Sequence, residues 1–144
     1  MKLEGAAPWN TLEINKARRL ERASHVTASK IVDSQDLVKL FEAVIEPNDK
    51  LCIEGNNQKH ADFLSQELTF VDSKKINNLH IVQSNIALAS HLDIFEKGIA
   101  RKLDFCYSGE QGIRLGRLIK EGFVEVGAIH TYLELYSRYF VDLT

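Results

Sequence analysis

Four times between residues 50 and 140, a short apolar run is followed by a stretch with helical spacing, and the connections between them are brief. The apolar runs are 50–54, 79–83, 103–107 and 123–128, each short enough for a strand. The stretches between them place apolar side chains three and four apart. Ala61, Phe63, Leu64 and Leu68 mark a helix over 59–70, and Ser90 and Gly98 bracket one over 90–97. Ile113, Leu115, Leu118 and Ile119 mark a third over 110–121, stopped by Gly122, and Leu133, Tyr136 and Phe140 a fourth over 130–140. Alternation of this kind predicts an α/β fold: an open, mainly parallel sheet with flanking helices and right-handed crossovers.

Upstream, residues 10–24 read as a polar helix with a thin apolar line of Leu12, Ala17, Leu20 and Ala23, too sparse to anchor a core. Ser34 is the expected N-cap of a second helix carrying Leu37, Leu40, Phe41 and Val44, which Glu46-Pro47-Asn48-Asp49 breaks. The expected organisation is an N-terminal helical arm over 1–33 and an α/β domain over 34–144. The chain stops at Thr144 where a further strand is due, so the domain is expected to be incomplete at its C-terminus. An unpaired sheet edge favours self-association, and homo-oligomerisation is the expectation.

A net charge of −2 argues against nucleic acid as a partner. The basic cluster of Lys16, Arg18, Arg19 and Arg22 is interleaved with Glu13 and Glu21 and reads as a solvated helix face. No apolar run approaches the ~20 residues that span a bilayer, and the N-terminus lacks a signal-peptide core. Cys52 and Cys106 fall inside strand-like runs and read as buried free thiols of a cytoplasmic protein. The five histidines lack metal-ligand spacing, so no metal is expected, and His80 reads as a core residue.

In open α/β sheets, ligands bind beyond the carboxyl ends of the strands. The first strand delivers Glu54, Gly55, Asn56, Asn57 and Gln58; the second Gln83, Ser84 and Asn85. The third ends in Tyr107, Ser108 and Gly109, and the fourth in Gly127, Ala128, Ile129 and His130. This set is rich in amides and hydroxyls and poor in charge. It contains no carboxylate pair, no G-x-S-x-G elbow, no Walker loop and no G-x-G-x-x-G. Amides pair well with other amides. Gly55 would let the backbone approach a ligand, and the next helix N-terminus would offer N–H groups to an oxyanion. A pantetheine thioester has both features; a capped polar turn explains Asn56, Asn57 and Gln58 equally well. His130 reads as either a ligand-binding residue or a helix-start histidine.

The stretches "LCIEGNNQKHADFL", "LHIVQSNIAL", "IFEKGIARKLDFCYSGEQG" and "EVGAIHTYLELYSRYFVDLT", with the opening "WNTLEINKARRL", resemble the alpha subunit of biotin-independent malonate decarboxylase. That subunit is several times longer, so the resemblance implies an N-terminal portion. It also implies a CoA-transferase-like fold and an acetyl-carrier-protein:malonate carrier-protein transferase activity, which exchanges acetate for malonate on an acyl-carrier thioester. The implied partners are the acyl-carrier subunit, the other decarboxylase subunits, malonate and acetate. The implied prosthetic group, phosphoribosyl-dephospho-CoA, is carried by the acyl-carrier subunit and not by this chain. On this reading Gly55, Asn56, Asn57 and Gln58 lie against the pantetheine arm, joined at the strand ends by Ser84, Asn85, Ser108, Gly109 and His130. The "GNN" sequence departs from the double glycine of CoA-transferases. The acyl-accepting glutamate of those enzymes has no assigned counterpart here; Glu54 and direct transfer both stay open. A segment of this kind is not expected to turn over alone. The rival reading is a non-catalytic assembly or CoA-arm-binding module.

Overall fold

The computed structural model describes residues 11–55, 60–131, 133, 134 and 137. The chain divides into two compact units, Met1–Ile45 and Glu46–Thr144.

In the first unit, α1 (Thr11–Ser24) packs on α2 (Leu37–Val44), which follows a 3-10 turn over Ser34–Asp36. The cap of that turn is Asp33 and not Ser34: its carboxylate accepts the Gln35 N–H at 3.3 Å, leaving Ser34 as the first residue inside. The basic face of α1 is also not simply solvated. Arg19 Nη1 donates to Val44 O at 3.1 Å and Arg22 Nε to Ala43 O at 2.6 Å. These carbonyls belong to the last turn of α2, which has no intrahelical donors for them, and two guanidinium groups supply what the helix cannot.

The second unit contains β1 (Lys50–Ile53), α3 (Asp62–Leu68), β2 (Leu79–Asn85), α4 (Ser90–Glu96), β3 (Ala100–Tyr107), α5 (Gly112–Lys120) and β4 (Glu125–Ile129). The strands pair in the order β1-β2-β3-β4, all parallel. Right-handed crossovers between strands added in one direction put all three helices on the same face of the sheet. Arg114 of α5 reaches Asp93 at 2.6 Å and Glu96 at 2.5 Å on α4, tying those two helices together. The core lies beneath them, built on Leu79, Ile81 and Leu103 from the strands and Leu92, Phe95, Leu115 and Leu118 from the helices. Glycines in the left-handed region, Gly98 and Gly122, end α4 and α5. Ser90 is the first residue inside α4 and not its cap, which is Ala89 with no side-chain hydrogen bond.

The opposite face of the sheet carries His80, Val82 and Ser84 from β2 and Lys102, Asp104 and Cys106 from β3, by strand alternation. It also explains the cysteines. Cys52 is exposed and Cys106 half-buried, against the expectation of buried thiols, because strand alternation turns both away from the helix-covered core. Beyond β4, Thr131 and Glu134 form a reciprocal cap: the Thr131 N–H donates to Glu134 Oε2 at 2.8 Å, and the Glu134 N–H to Thr131 Oγ1 at 3.3 Å. Leu133, Glu134 and Ser137 are helical as expected, while Tyr136 and Phe140 lie outside the described residues. Among the described residues, no helix is long and apolar enough to cross a membrane.

Candidate functional site

Strand β1 ends at Ile53, and two residues later Gly55 forms an antiparallel bridge with His60. The Ala61 N–H donates to Glu54 O at 3.1 Å, closing the same base. Residues 56–59, including Asn56, Asn57 and Gln58, lie outside the described residues. Helix α3 starts only at Asp62, two residues beyond the bridge, and spans 7 residues.

Gly55 is buried, and its reason for being glycine differs from the expected one. Its φ is not in the left-handed region, and no ligand is needed to explain the missing side chain. A Cβ there would lie 2.6 Å from Gln83 Nε2 and 2.9 Å from the backbone oxygen of Asn85. The close approach that demands glycine comes from β2. Ser84 adds a third hold, its hydroxyl donating to Gly55 O.

Beneath this foot lies a polar pair inside the core. Gln83 is fully buried, and its Nε2 sits 2.9 Å from Nδ1 and 3.1 Å from Nε2 of His91 on α4. The Leu88 N–H donates to the same Nδ1 at 3.4 Å. Burial, reinforced by the neighbouring His60 ring, pushes the His91 pKa down to about 4, so the ring is neutral at physiological pH and free to accept.

Beside the loop, a cleft of about 630 Å³ opens at the carboxyl ends of β2 and β3. His60, Asn85, Tyr107 and Glu110 give it polar groups, and Ala87 and Leu88 an apolar wall, with Gly109 at its edge. Of the expected site residues, the structure thus brings together Gly55 and Ser84 at the loop base, and Asn85 and Gly109 in the cleft. Ser108 follows β3 and is half-buried against Gly112 at the start of α5.

His130 is not part of this group. Its ring faces Asp104 on the side of the sheet away from the helices, with Nε2 3.6 Å from Oδ2. His80 approaches the other carboxylate oxygen at 3.0 Å. The two rings thus flank the buried carboxylate, one at each oxygen. Burial pushes the Asp104 carboxyl up, yet the two histidines together hold it below the ordinary carboxylate value. A bulge accommodates the group: β3–β4 register slips between Leu103 and Asp104, and a Cβ on Gly127 would collide with Asp104 Oδ1 and Lys102 Cε.

Sequence reasoning missed His60, His91, Glu110 and Asp104. Two carried a readable signal: Asp104 is a lone carboxylate in an apolar strand, and His91 sits among Leu92, Ile94 and Phe95 on a helix's apolar face. Among the described residues, no group of three or more His, Cys, Asp or Glu side chains is placed to hold a metal ion.

Comparison with known proteins adds a family. A family model described as "Malonate decarboxylase, alpha subunit, transporter" matches residues 8–144. The chain is 52% identical over 137 residues to the acetyl-S-ACP:malonate ACP transferase of Malonomonas rubra, covering 94% of this chain and 25% of that protein. The crystal structure of a malonate decarboxylase alpha subunit from Acinetobacter baumannii superposes with a TM-score of 0.90 at 47% identity, over 94% of this chain and 25% of that one. A Pseudomonas malonate decarboxylase hetero-tetramer in complex with malonate gives a TM-score of 0.91 at 47% identity, over 96% of this chain and 25% of that one. The chain spans about a quarter of the length of these relatives.

Proposed function

The chain belongs to the malonate decarboxylase alpha-subunit family, and on that premise we propose that it forms the N-terminal segment of an acyl-carrier-protein transferase, the subunit that exchanges acetate for malonate on an acyl-carrier thioester. Its partners are then the acyl-carrier subunit and the other decarboxylase subunits, in the cytoplasm, with malonate and acetate as the exchanged acids. The thioester arm, on phosphoribosyl-dephospho-CoA, is the partner's cargo and reaches this chain as substrate.

The observation that carries this reading is the cleft at the β2 and β3 ends, opening beside the foot of the 56–59 loop at His60. An arm with two amides and an apolar stem suits a wall of Ala87 and Leu88 facing Asn85, Tyr107 and Glu110. Donors on the loop would stabilise charge developing on the thioester oxygen, and removing one such donor costs ~10²–10³ in rate. Asn56→Ala, introduced into the assembled decarboxylase, is therefore expected to slow acyl exchange while leaving assembly intact. An unchanged exchange rate in a folded complex would remove the loop from the reaction.

One observation favours a non-catalytic assembly role instead. Strand β4 lies at the edge of the sheet, with Ile129 67% and, just beyond it, Leu133 83% exposed. Titration of the chain with dephospho-CoA separates the two readings. Amide shifts at Gly55, Asn85 and Gly109 support an arm site; silence there, with tight binding of a partner subunit, supports assembly alone.

A further inference from the structure

We propose that His60 is a catalytic residue of the cleft at the β2 and β3 ends: its imidazole donates a hydrogen bond to the carbonyl oxygen of the bound thioester. The proposal rests on the reading of that cleft as the arm site, and deepens it by naming a donor.

The backbone of His60 is held in place. It bridges Gly55 in antiparallel fashion, and the next N–H, that of Ala61, donates to Glu54 O at 3.1 Å. The residue is half-buried, and its ring packs against the buried ring of His91, with 6.4 Å between centroids and a 59° tilt. Of the two His60 ring nitrogens, Nδ1 is buried with no hydrogen-bond partner among the described residues. A buried N–H without an acceptor is rarer in folded proteins than a buried acceptor without a donor. Nδ1 is therefore the bare nitrogen, and Nε2 carries the proton. A tethered ring that lines the cleft with its proton on Nε2 offers a donor fixed before any ligand arrives.

The other lining residues leave this role open. Asn85 and Tyr107 pair on the last rung between β2 and β3, and the Asn85 carboxamide suits an amide of the arm. Tyr107 is 57% exposed, so its hydroxyl is not held in one place. Glu110, ionised, accepts hydrogen bonds and does not donate them; Ala87 and Leu88 are apolar. When an oxygen of the incoming acid bonds to the thioester carbon, the carbonyl electron pair moves onto the carbonyl oxygen. That pair returns as the C–S bond breaks and the thiolate leaves. The charge on the oxygen exists only between those two events, and a fixed N–H stabilises it more than it stabilises the ground state.

Ring-nitrogen NMR of the unsubstituted chain tests the tautomer and the contact together. The His60 proton should reside on Nε2; a proton on Nδ1 alone overturns the proposal. Titration with acetyl-dephospho-CoA should move the His60 ring resonances, while dephospho-CoA, which has the arm and no thioester, should leave them in place. The Asn85 and Gly109 amides should respond to both. If those amides respond and the His60 ring answers neither ligand, or both equally, the proposal falls and the arm site stands. If nothing in the cleft responds to either ligand, the arm reading falls and takes the proposal with it. In the assembled decarboxylase, His60→Phe should slow acyl exchange by ~10²–10³ with the KM for malonate little changed. A full exchange rate in an intact His60→Phe complex overturns the proposal.

Discussion

The Asp104 carboxylate lies 3.0 Å from the imidazole of His80, one strand away, on a buried patch of an otherwise half-open sheet face. Unlike the Gln83–His91 pair, this contact involves a carboxylate, whose own ionisation makes its strength depend on pH. Removing the carboxylate leaves two histidines facing a neutral amide.

Asp104→Asn should therefore destabilise the fold by ~1–3 kcal/mol at neutral pH. The carboxyl's folded pKa lies below its ordinary value, so its contribution is complete above that value and is lost as pH falls through the folded one. Urea denaturation over a series of pH values checks this: the gap between the two proteins should be widest at neutral pH and begin to close only once the pH has fallen below the ordinary carboxylate value.

Gly127→Ala probes the same cluster from β4. The new Cβ would overlap Asp104 Oδ1 and crowd Lys102 Cε, and the buried carboxylate has little room to retreat. Overpacking of this kind costs ~1–3 kcal/mol. The Asp104→Asn background should not rescue it, because the amide occupies the same volume, whereas Asp104→Ala should; a thermal-melt comparison of the double variants decides.

His91 predicts a second acid sensitivity, at higher pH. The unfolded chain takes up this proton near 6.5, while the folded chain resists until about 4. Stability should decline as pH falls from the first value toward the second and stay flat above it. Over the whole interval the change is on the order of 3 kcal/mol. His91→Gln should flatten this stretch of the stability profile, as followed by urea midpoints between pH 4 and 7.

The two thiols should differ in reactivity. Cys52 is exposed, while burial, and then the charge of Glu134, pushes the Cys106 thiol up. At pH 8 a small disulfide reagent should modify Cys52 first, and mass spectrometry of the early adduct should find Cys106 largely untouched.

The periodic parts of the chain were legible because they are local. Strands β1 and β2 begin where the apolar runs do, at Lys50 and Leu79. Errors came where a neighbour overrode composition. Strand β3 starts at Ala100, three residues before the apolar run, because Arg101 and Lys102 do not face the helix-covered core and pay no penalty in the ladder. Phe123 and Val124 look like strand but donate their N–H groups to Leu118 O, closing α5, so β4 starts at Glu125. The polar run Gln83-Ser84-Asn85 stays in β2 because β3 pairs with it as far as Asn85 opposite Tyr107, while β1 pairs only as far as Gln83.

From sequence alone came the alternation of strand and helix, hence a parallel sheet, and the strand ends where a ligand would meet the chain. Those follow from hydrophobic periodicity and handedness, which act over a few residues at a time. The meetings of Gln83 with His91 and Gly55, and of Asp104 with His80 and His130, were decided by tertiary structure. Each joins residues from separate elements, and which side chains face each other there depends on strand register, one bulge and the face each crossover covers. No local rule sets those. The slip between β3 and β4 falls at Asp104, and Gly127 leaves its carboxylate the space that a side chain would fill.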